Sequence, residues 1–188
     1  LLSAVFKQVA GVKISTYLRE HLFQPLGIQE GYFLENHEDI TIGGLGLFLS
    51  TEGLAKTGMM LLNKGMYGDR RILSEEWAAM TLAKQIDNAP VFPPAKTESR
   101  AGYGFQCWHC THGGIRMSGL WSQICLMLPE QNTVIAFNAR GSSSQPVLDA
   151  FWPTLFQGLK GPDYTADPDE ETRLEAYLNG LKVDLLEG

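Results

Sequence analysis

Apolar residues recur at helical spacing from the first position of the chain: Leu1, Leu2, Val5, Phe6 and Val9 fall three and four apart, and Gly11 follows where a helix would stop. The spacing predicts a first helix ending there. A second is expected after Ser15, a good N-cap, with Tyr17, Leu18 and Leu22 on its apolar side and Pro25 and Gly27 as its stop. The pattern over 31–42 is irregular. Gly43-Gly44-Leu45-Gly46 then adds flexible backbone, and Ser50 and Thr51 offer caps for a third helix with Leu54, Ala55, Leu61 and Leu62 as its buried stripe. Gly65 closes that helix, and Tyr67-Gly68-Asp69 makes a turn before Ile72 and Leu73. Ser74 caps a short helix whose first turn holds Glu75 and Glu76, where carboxylates complement the helix dipole.

The period then changes. Residues 88–100 carry Pro90, Pro93 and Pro94 among polar residues and read as an exposed loop bordering a cleft. Residues 103–109, 115–128 and 133–137 read as three consecutive strands, with turns at His112-Gly113-Gly114 and Pro129-Glu130-Gln131-Asn132, most simply joined as an antiparallel meander. The second and third are apolar on both faces, so helices must cover both sides of the sheet. Leu148, Phe151, Trp152, Leu155, Phe156 and Leu159, after Pro146, supply one cover, and Pro153 predicts a break within it. Residues 161–169 read as a polar linker, and 170–181 as a last amphipathic helix with Leu174, Tyr177, Leu178 and Leu181. Helices, a meander and helices again make an α+β fold, an antiparallel meander sheet flanked by helices.

With 188 residues and 44% hydrophobic content, the chain can bury a real core. A net charge of -6 leaves no basic stripe, which argues against nucleic acid as a partner. The longest apolar runs, 42–49 and 124–128, fall far short of the roughly 20 residues a membrane-spanning helix needs. No targeting signal is readable at the start, so the compartment stays open. Three cysteines cannot all pair within one chain, which disfavours a disulfide framework. Cys107-Trp108-His109-Cys110 with His112 invites a zinc or dithiol reading. On a strand, however, residues three apart face opposite ways, and no second ligand pair follows. Thr111 after Cys110 excludes a c-type haem attachment site.

Six segments, in order, resemble the superfamily of serine β-lactamases, penicillin-binding DD-peptidases and related esterases. The helix ending at Gly11 resembles the one that follows that family's Tyr-x-Asn motif. Tyr17-Leu18-Arg19-Glu20-His21-Leu22-Phe23-Gln24-Pro25-Leu26-Gly27-Ile28 is close to "YLREHIFEPLGM". Gly43-Gly44-Leu45 leading to Ser50-Thr51-Glu52-Gly53-Leu54-Ala55 is similar to "GGL…ST..DLA.F", and 65–77 to "G…G.RILSPEW". Tyr103-Gly104-Phe105 resembles "YGYGW", and Ser118-Gly119-Leu120-Trp121-Ser122-Gln123 with Pro129-Glu130 resembles "HSGFWGQ…DPE". The resemblance implies the C-terminal part of a β-lactamase/transpeptidase-like fold. Residues 1–160 would form that portion of the domain, and 161–188 a linker and terminal helix.

Such enzymes use three motifs. A Ser-x-x-Lys supplies a nucleophile beside an amine, a Tyr-x-Asn supplies a second proton carrier, and a Lys/His-Thr/Ser-Gly strand holds the substrate's polar end. The first two are expected upstream of Leu1, in an N-terminal half of the domain that would be this chain's partner. The chain itself is expected to hold neither. Three residues after Ser3, Ser15 and Ser118 stand Phe6, Leu18 and Trp121, not Lys. The third motif maps onto Met117-Ser118-Gly119. The resemblance implies that Ser118 turns its hydroxyl into the substrate cleft, that Gly119 admits substrate backbone, and that the Leu120 N–H is an oxyanion donor. Trp121 and Tyr103 are candidates to line the cleft and contact substrate, although an aromatic on a strand more often serves as core or edge cover. Met117 departs from the usual cation, which favours an ester, amide or peptide over a β-lactam. Gly43 and Gly44 read as a turn bordering the site rather than a phosphate cradle.

The function so implied is a serine hydrolase forming an acyl-enzyme on a small-molecule or peptide substrate, without metal or organic cofactor. This chain would supply the substrate-binding strand and cleft walls and be inactive alone. The alternative is a non-catalytic relative that binds peptide or cell-wall fragments. The resemblance favours periplasm or cell envelope over cytoplasm. A sheet that takes strands from elsewhere should also show an unpaired edge.

Overall fold

A computed structural model describes residues 1–141, 143–159, 165 and 167–180. The first helix, α1 (Leu2–Ala10), stops as expected because Gly11 takes φ 71° and its N–H returns to the Lys7 carbonyl. Its apolar stripe is not buried: Leu2 is 84% and Val9 82% exposed. Phe6 finds a partner in Tyr17, edge to face at 5.3 Å. The second helix starts before Ser15. α2 (Ile14–Leu18) has Lys13 at its N-cap and runs on as a π-helical turn over Arg19–Phe23. Ser15 instead ties two segments together, its hydroxyl donating to Glu35 Oε1 at 2.9 Å. Lys13 joins the same tie, 2.8 Å from Glu35 and 2.9 Å from Asp39.

α3 (Thr51–Leu62) begins as its sequence predicts, with Ser50 Oγ accepting the Gly53 N–H at 3.0 Å. Its buried face differs from the expected stripe. Gly53, Gly58, Met60 and Leu61 are buried, whereas Leu54, Ala55 and Leu62 are only partly covered. The reason is close approach to the sheet: a Cβ at Gly58 would stand 2.4 Å from Cys125 Sγ and 2.9 Å from Val134 Cγ1. A face built on glycines is invisible to a reading of hydrophobic period. The hairpin of β3 (Met66–Tyr67) and β4 (Arg70–Arg71) follows, after the small pair β1 (Tyr32–Phe33) and β2 (Leu47–Phe48) earlier in the chain. Next comes α4 (Glu75–Leu82), where Ser74 Oγ accepts the Trp77 N–H.

The main sheet has four antiparallel strands in the order β5-β6-β7-β8. They are β5 (Trp108–His109), β6 (Ile115–Gly119), β7 (Gln123–Leu128) and β8 (Thr133–Phe137). Two expectations change here. Only the last two residues of 103–109 are in strand, because Gly102 at φ 135° and Gln106 at φ 60° bend the backbone. Residues 115–128 form two strands, not one, reversed by Leu120-Trp121-Ser122 with Trp121 at φ 61° and Ser122 at φ 69°. Left-handed backbone at ordinary residues carries no sequence signal of a turn.

β7 is the centre of the core. Ile124, Leu126 and Leu128 pack with Leu148, Phe151 and Trp152 on one side, while Met127 packs with Phe23, Leu26 and Met60 on the other. α3 thus covers one face and α5 (Gln145–Phe151) the other, with Pro146 in its first turn. It stops before Pro153 as predicted, and a 3₁₀ turn over Leu155–Gly158 continues the cover. The loop over 88–100 is less exposed than its composition suggests, since Asn88 and Glu98 are buried. α6 (Pro168–Gly180) carries Leu174, Tyr177 and Leu178 exposed; Leu181 and most of the linker lie outside the described residues. Among the described residues no strand pairs beyond β8, and no helix is long and apolar enough to cross a membrane.

Candidate functional site

β5 pairs with only the start of β6, through Trp108 with Arg116 and His109 with Ile115. The outer edge of Met117-Ser118-Gly119 therefore has no strand partner among the described residues. Side chains alternate along β6. Ile115 and Met117 turn to the α3 side and join its apolar cluster. Arg116 and Ser118 turn the other way and line a cavity of about 320 Å³ with Lys96, Trp108 and Ser144. Ser118 Oγ lies 3.1 Å from Ser144 Oγ.

Arg116 is only 3% exposed. Its Nη1 donates to the carbonyl of Glu98 at 3.0 Å, to Cys110 Sγ at 3.1 Å and to the His109 carbonyl at 3.4 Å, and the guanidinium sits 5.8 Å from the centre of the Trp108 ring. Its Nε is buried without a hydrogen-bond partner. Glu98, also buried, spends its carboxylate elsewhere. Oε1 accepts from Thr111 Oγ1 at 2.5 Å and Trp152 Nε1 at 3.0 Å, and Oε2 from the Thr111 N–H at 3.1 Å. No described ion pair includes Arg116. Glu98, Lys96, Arg116 and Ser144 were not among the residues singled out from sequence. The available signal was position: Arg116 stands two before Ser118 and so shares its face.

Leu120 and Trp121 lie in the turn, 74% and 60% exposed, pinned by the Gly141 N–H donating to the Trp121 carbonyl at 3.0 Å. Gly119 stands at the end of β6, where a Cβ would come 3.1 Å from Gln123 Cβ on the paired strand. Ser122 occupies the position of the second glycine in "HSGFWGQ". It is 1% exposed and its hydroxyl has no partner.

No family sequence profile and no curated protein matches the chain. Solved structures do. Over 93% of this chain, at 17% identity, it superposes with TM-score 0.62 on 42% of a protein from Bacillus anthracis assigned as a 6-aminohexanoate-dimer hydrolase. Simvastatin synthase from Aspergillus terreus matches 80% of the chain with TM-score 0.62 at 15% identity, over 49% of its own length. A penicillin-binding protein from Bacillus halodurans matches 82% with TM-score 0.59 at 16% identity, over 53% of its length. This is the β-lactamase/transpeptidase-like fold. The chain spans about half the length of the solved structures it matches.

In the β-lactamase-like frame, two sequence readings have different outcomes. Cys107 and Cys110 do face opposite ways, Cys107 in the α3-side cluster and Cys110 in the α5-side one. Burial pushes both thiols up to about 11 and Cys125 to about 12, so none is a poised nucleophile. Among the described residues no group of three His, Cys, Asp or Glu side chains is placed to hold a metal. The expectation that the chain holds no Tyr-x-Asn is corrected: Tyr177-Leu178-Asn179 has that spacing. It sits on α6 with Tyr177 and Leu178 exposed, after the sheet rather than before it, so it stands out of the order of the resembled motif.

Proposed function

We propose that this chain is the substrate-orienting portion of a serine hydrolase of β-lactamase type, working through an acyl-enzyme. Residues 1–160 are the C-terminal portion of that catalytic domain, and 161–188 its linker and terminal helix. A serine hydroxyl from a Ser-x-x-Lys outside this chain attacks the carbonyl of an ester, amide or peptide, and the lysine, helped by a tyrosine, takes the proton. The tetrahedral oxyanion collapses, expels an alcohol or amine that takes a proton back, and leaves an acyl-serine that water hydrolyses. Substrate lies along the outer edge of β6, where Ser118 orients it, Gly119 leaves room for its backbone, Trp121 flanks it and the Leu120 N–H donates to the oxyanion.

The observation that carries this reading is the open edge of Met117-Ser118-Gly119 beside a cavity lined by Ser118. A cavity of about 320 Å³ is at the small end of the size usual for ligand sites. The test is hydrolysis of p-nitrophenyl esters and nitrocefin by the parent polypeptide and by residues 1–188 alone. The parent should turn over esters, with kcat/KM reduced about 10- to 100-fold by Ser118→Ala, and the 188-residue chain should be inactive. Turnover by the 188-residue chain that survives Ser118→Ala would sink the reading. An inactive parent without Ser-x-x-Lys that still binds peptides would replace it with a binding role.

A further inference from the structure

We propose that Glu98 is the positioning residue of the cavity behind Ser118: it ties β6, the β5–β6 turn and both ends of α5 to one short turn of chain, and so sets the separation of the walls. This rests on the acyl-transfer reading for its consequence in turnover, not for the clamp itself. β6 brings Ser118 to the cavity, the segment before the meander brings Lys96 and Ser99, and the start of α5 brings Ser144 and Gln145. Glu98 lies between Lys96 and Ser99, buried in a 3₁₀ turn over Thr97–Ser99. All its polar groups are used. Its N–H donates to Gln145 Oε1 at 3.2 Å, and its carbonyl accepts from Arg116 Nη1 at 3.0 Å. Its carboxylate accepts from Thr111 in the β5–β6 turn and from Trp152 just past the end of α5. Described hydrogen bonds from 92–99 to β6, to that turn or to α5 all run through Glu98 or from Gln145 Nε2 to Thr97 Oγ1 at 3.0 Å. With Pro93 and Pro94 lacking N–H groups, the segment has little else to hold it.

The position demands a carboxylate and not merely a side chain of that size. The Thr111 hydroxyl and the Trp152 indole N–H both point at Oε1, and the Thr111 N–H points at Oε2. Glutamine has one acceptor oxygen, so in either orientation its NH₂ would meet an N–H that it cannot accept. The Thr111 hydroxyl can turn, since its Oγ1 also lies 2.9 Å from His112 Nδ1, whereas the indole and backbone N–H groups cannot. Removing the indole N–H therefore lets glutamine fit, its oxygen accepting the Thr111 N–H and its nitrogen donating to the turned hydroxyl. Wall position reaches the substrate edge because Ser144 Oγ stands 3.1 Å from Ser118 Oγ, beside the Gln145 that Glu98 holds.

The expected signature is weaker substrate binding with the chemistry intact. In the parent polypeptide, Glu98→Gln should raise KM for p-nitrophenyl acetate about fivefold or more and leave kcat within about twofold. In the Trp152→Phe background the same substitution should leave KM nearly unchanged. An acid with a merely structural role would lower the melting temperature and leave KM in place, and a lost charge would not be made good by removing an indole N–H. Should Glu98→Gln fail to fold, Thr111→Val, at an exposed position, removes one donor and should raise KM about twofold to threefold. Hydrogen exchange on the 188-residue chain reads the clamp without turnover. Glu98→Gln, or Thr111→Val in its place, should speed exchange over 96–100 and 143–145 and leave 124–128 in β7 protected. An unchanged KM in an active parent overturns the proposal, as does a KM rise that persists in the Trp152→Phe background. Exchange that does not change, or that rises as much in β7 as at the cavity, overturns it too. An ester-inactive parent would remove the hydrolase reading and leave the exchange pattern to decide the clamp, so the two can fail separately.

Discussion

β6 and β7 pair side by side from Ile115 with Met127 to Gly119 with Gln123, yet they are built to opposite rules. In β7 both faces are apolar, and the run from Ile124 to Leu128 is fully buried between α3 and α5. In β6 one face is apolar and the other carries a buried arginine and a serine into a cavity. The contrast teaches where stability and chemistry are kept apart. A strand covered twice is specified by its hydrophobic residues, and each of them contributes to folding. A strand with a cavity against one face can place polar groups there, as β6 does with Ser118.

The largest test of that contrast is a pair of alanine substitutions. Leu126→Ala leaves a hole in the fully covered strand and should cost about 3 to 4 kcal/mol in urea unfolding. Ser118→Ala removes a hydroxyl whose described partner is Ser144 and should cost about 1 kcal/mol or less. Similar losses for both would mean that the two strands are not built differently.

A second test uses pH. Burial raises Cys107, Cys110 and Cys125 from the ordinary 9.0 to about 11, 11 and 12, so the folded state holds these protons more tightly than the unfolded chain. Their contribution to stability is whole below pH 9 and is lost as pH rises through 11 to 12. The urea midpoint should fall above pH 9 in a variant-dependent way, least in Cys125→Ala. Folded protein at pH 8 should react with Ellman's reagent only as fast as it unfolds. Prompt labelling of Cys125 would show that β7 is not closed on the α3 side.

The smallest expected effect lies in the turn that joins the two strands. Ser122 holds φ 69° with a buried, unpartnered hydroxyl, two costs that glycine avoids. Ser122→Gly should stabilise by about 1 kcal/mol and raise the melting temperature. A lower melting temperature would mean that the hydroxyl is satisfied in solution and that the turn is not strained.

Much of the fold is legible before any coordinates. The stop at Gly11, the caps at Ser50 and Ser74, the break before Pro153 and the double cover of the apolar strand all follow from local chemistry. The failures are equally local in cause. Ser15 has cap chemistry but is drawn into a tie with Glu35, and α3 turns glycines to the sheet because Cys125 and Val134 leave no room for a Cβ. The reversal at Trp121-Ser122 has no local signal because both residues take left-handed backbone that neither favours. The site is half legible: a motif marks Ser118, whereas nothing local marks Arg116, whose place on the cavity face follows only from the strand's register.

The sequence by itself determined where helices stop and are capped, the apolar strand that needs two covers and the motif that marks one strand end, because capping, period and turn chemistry act over a few residues. The tertiary structure alone decided which face of β6 meets a cavity, that Glu98 is spent on Thr111 and Trp152, and that the buried Arg116 donates to two carbonyls and a thiol. The Glu98 contacts join residues 13 and 54 positions apart, and no local pattern encodes such a meeting.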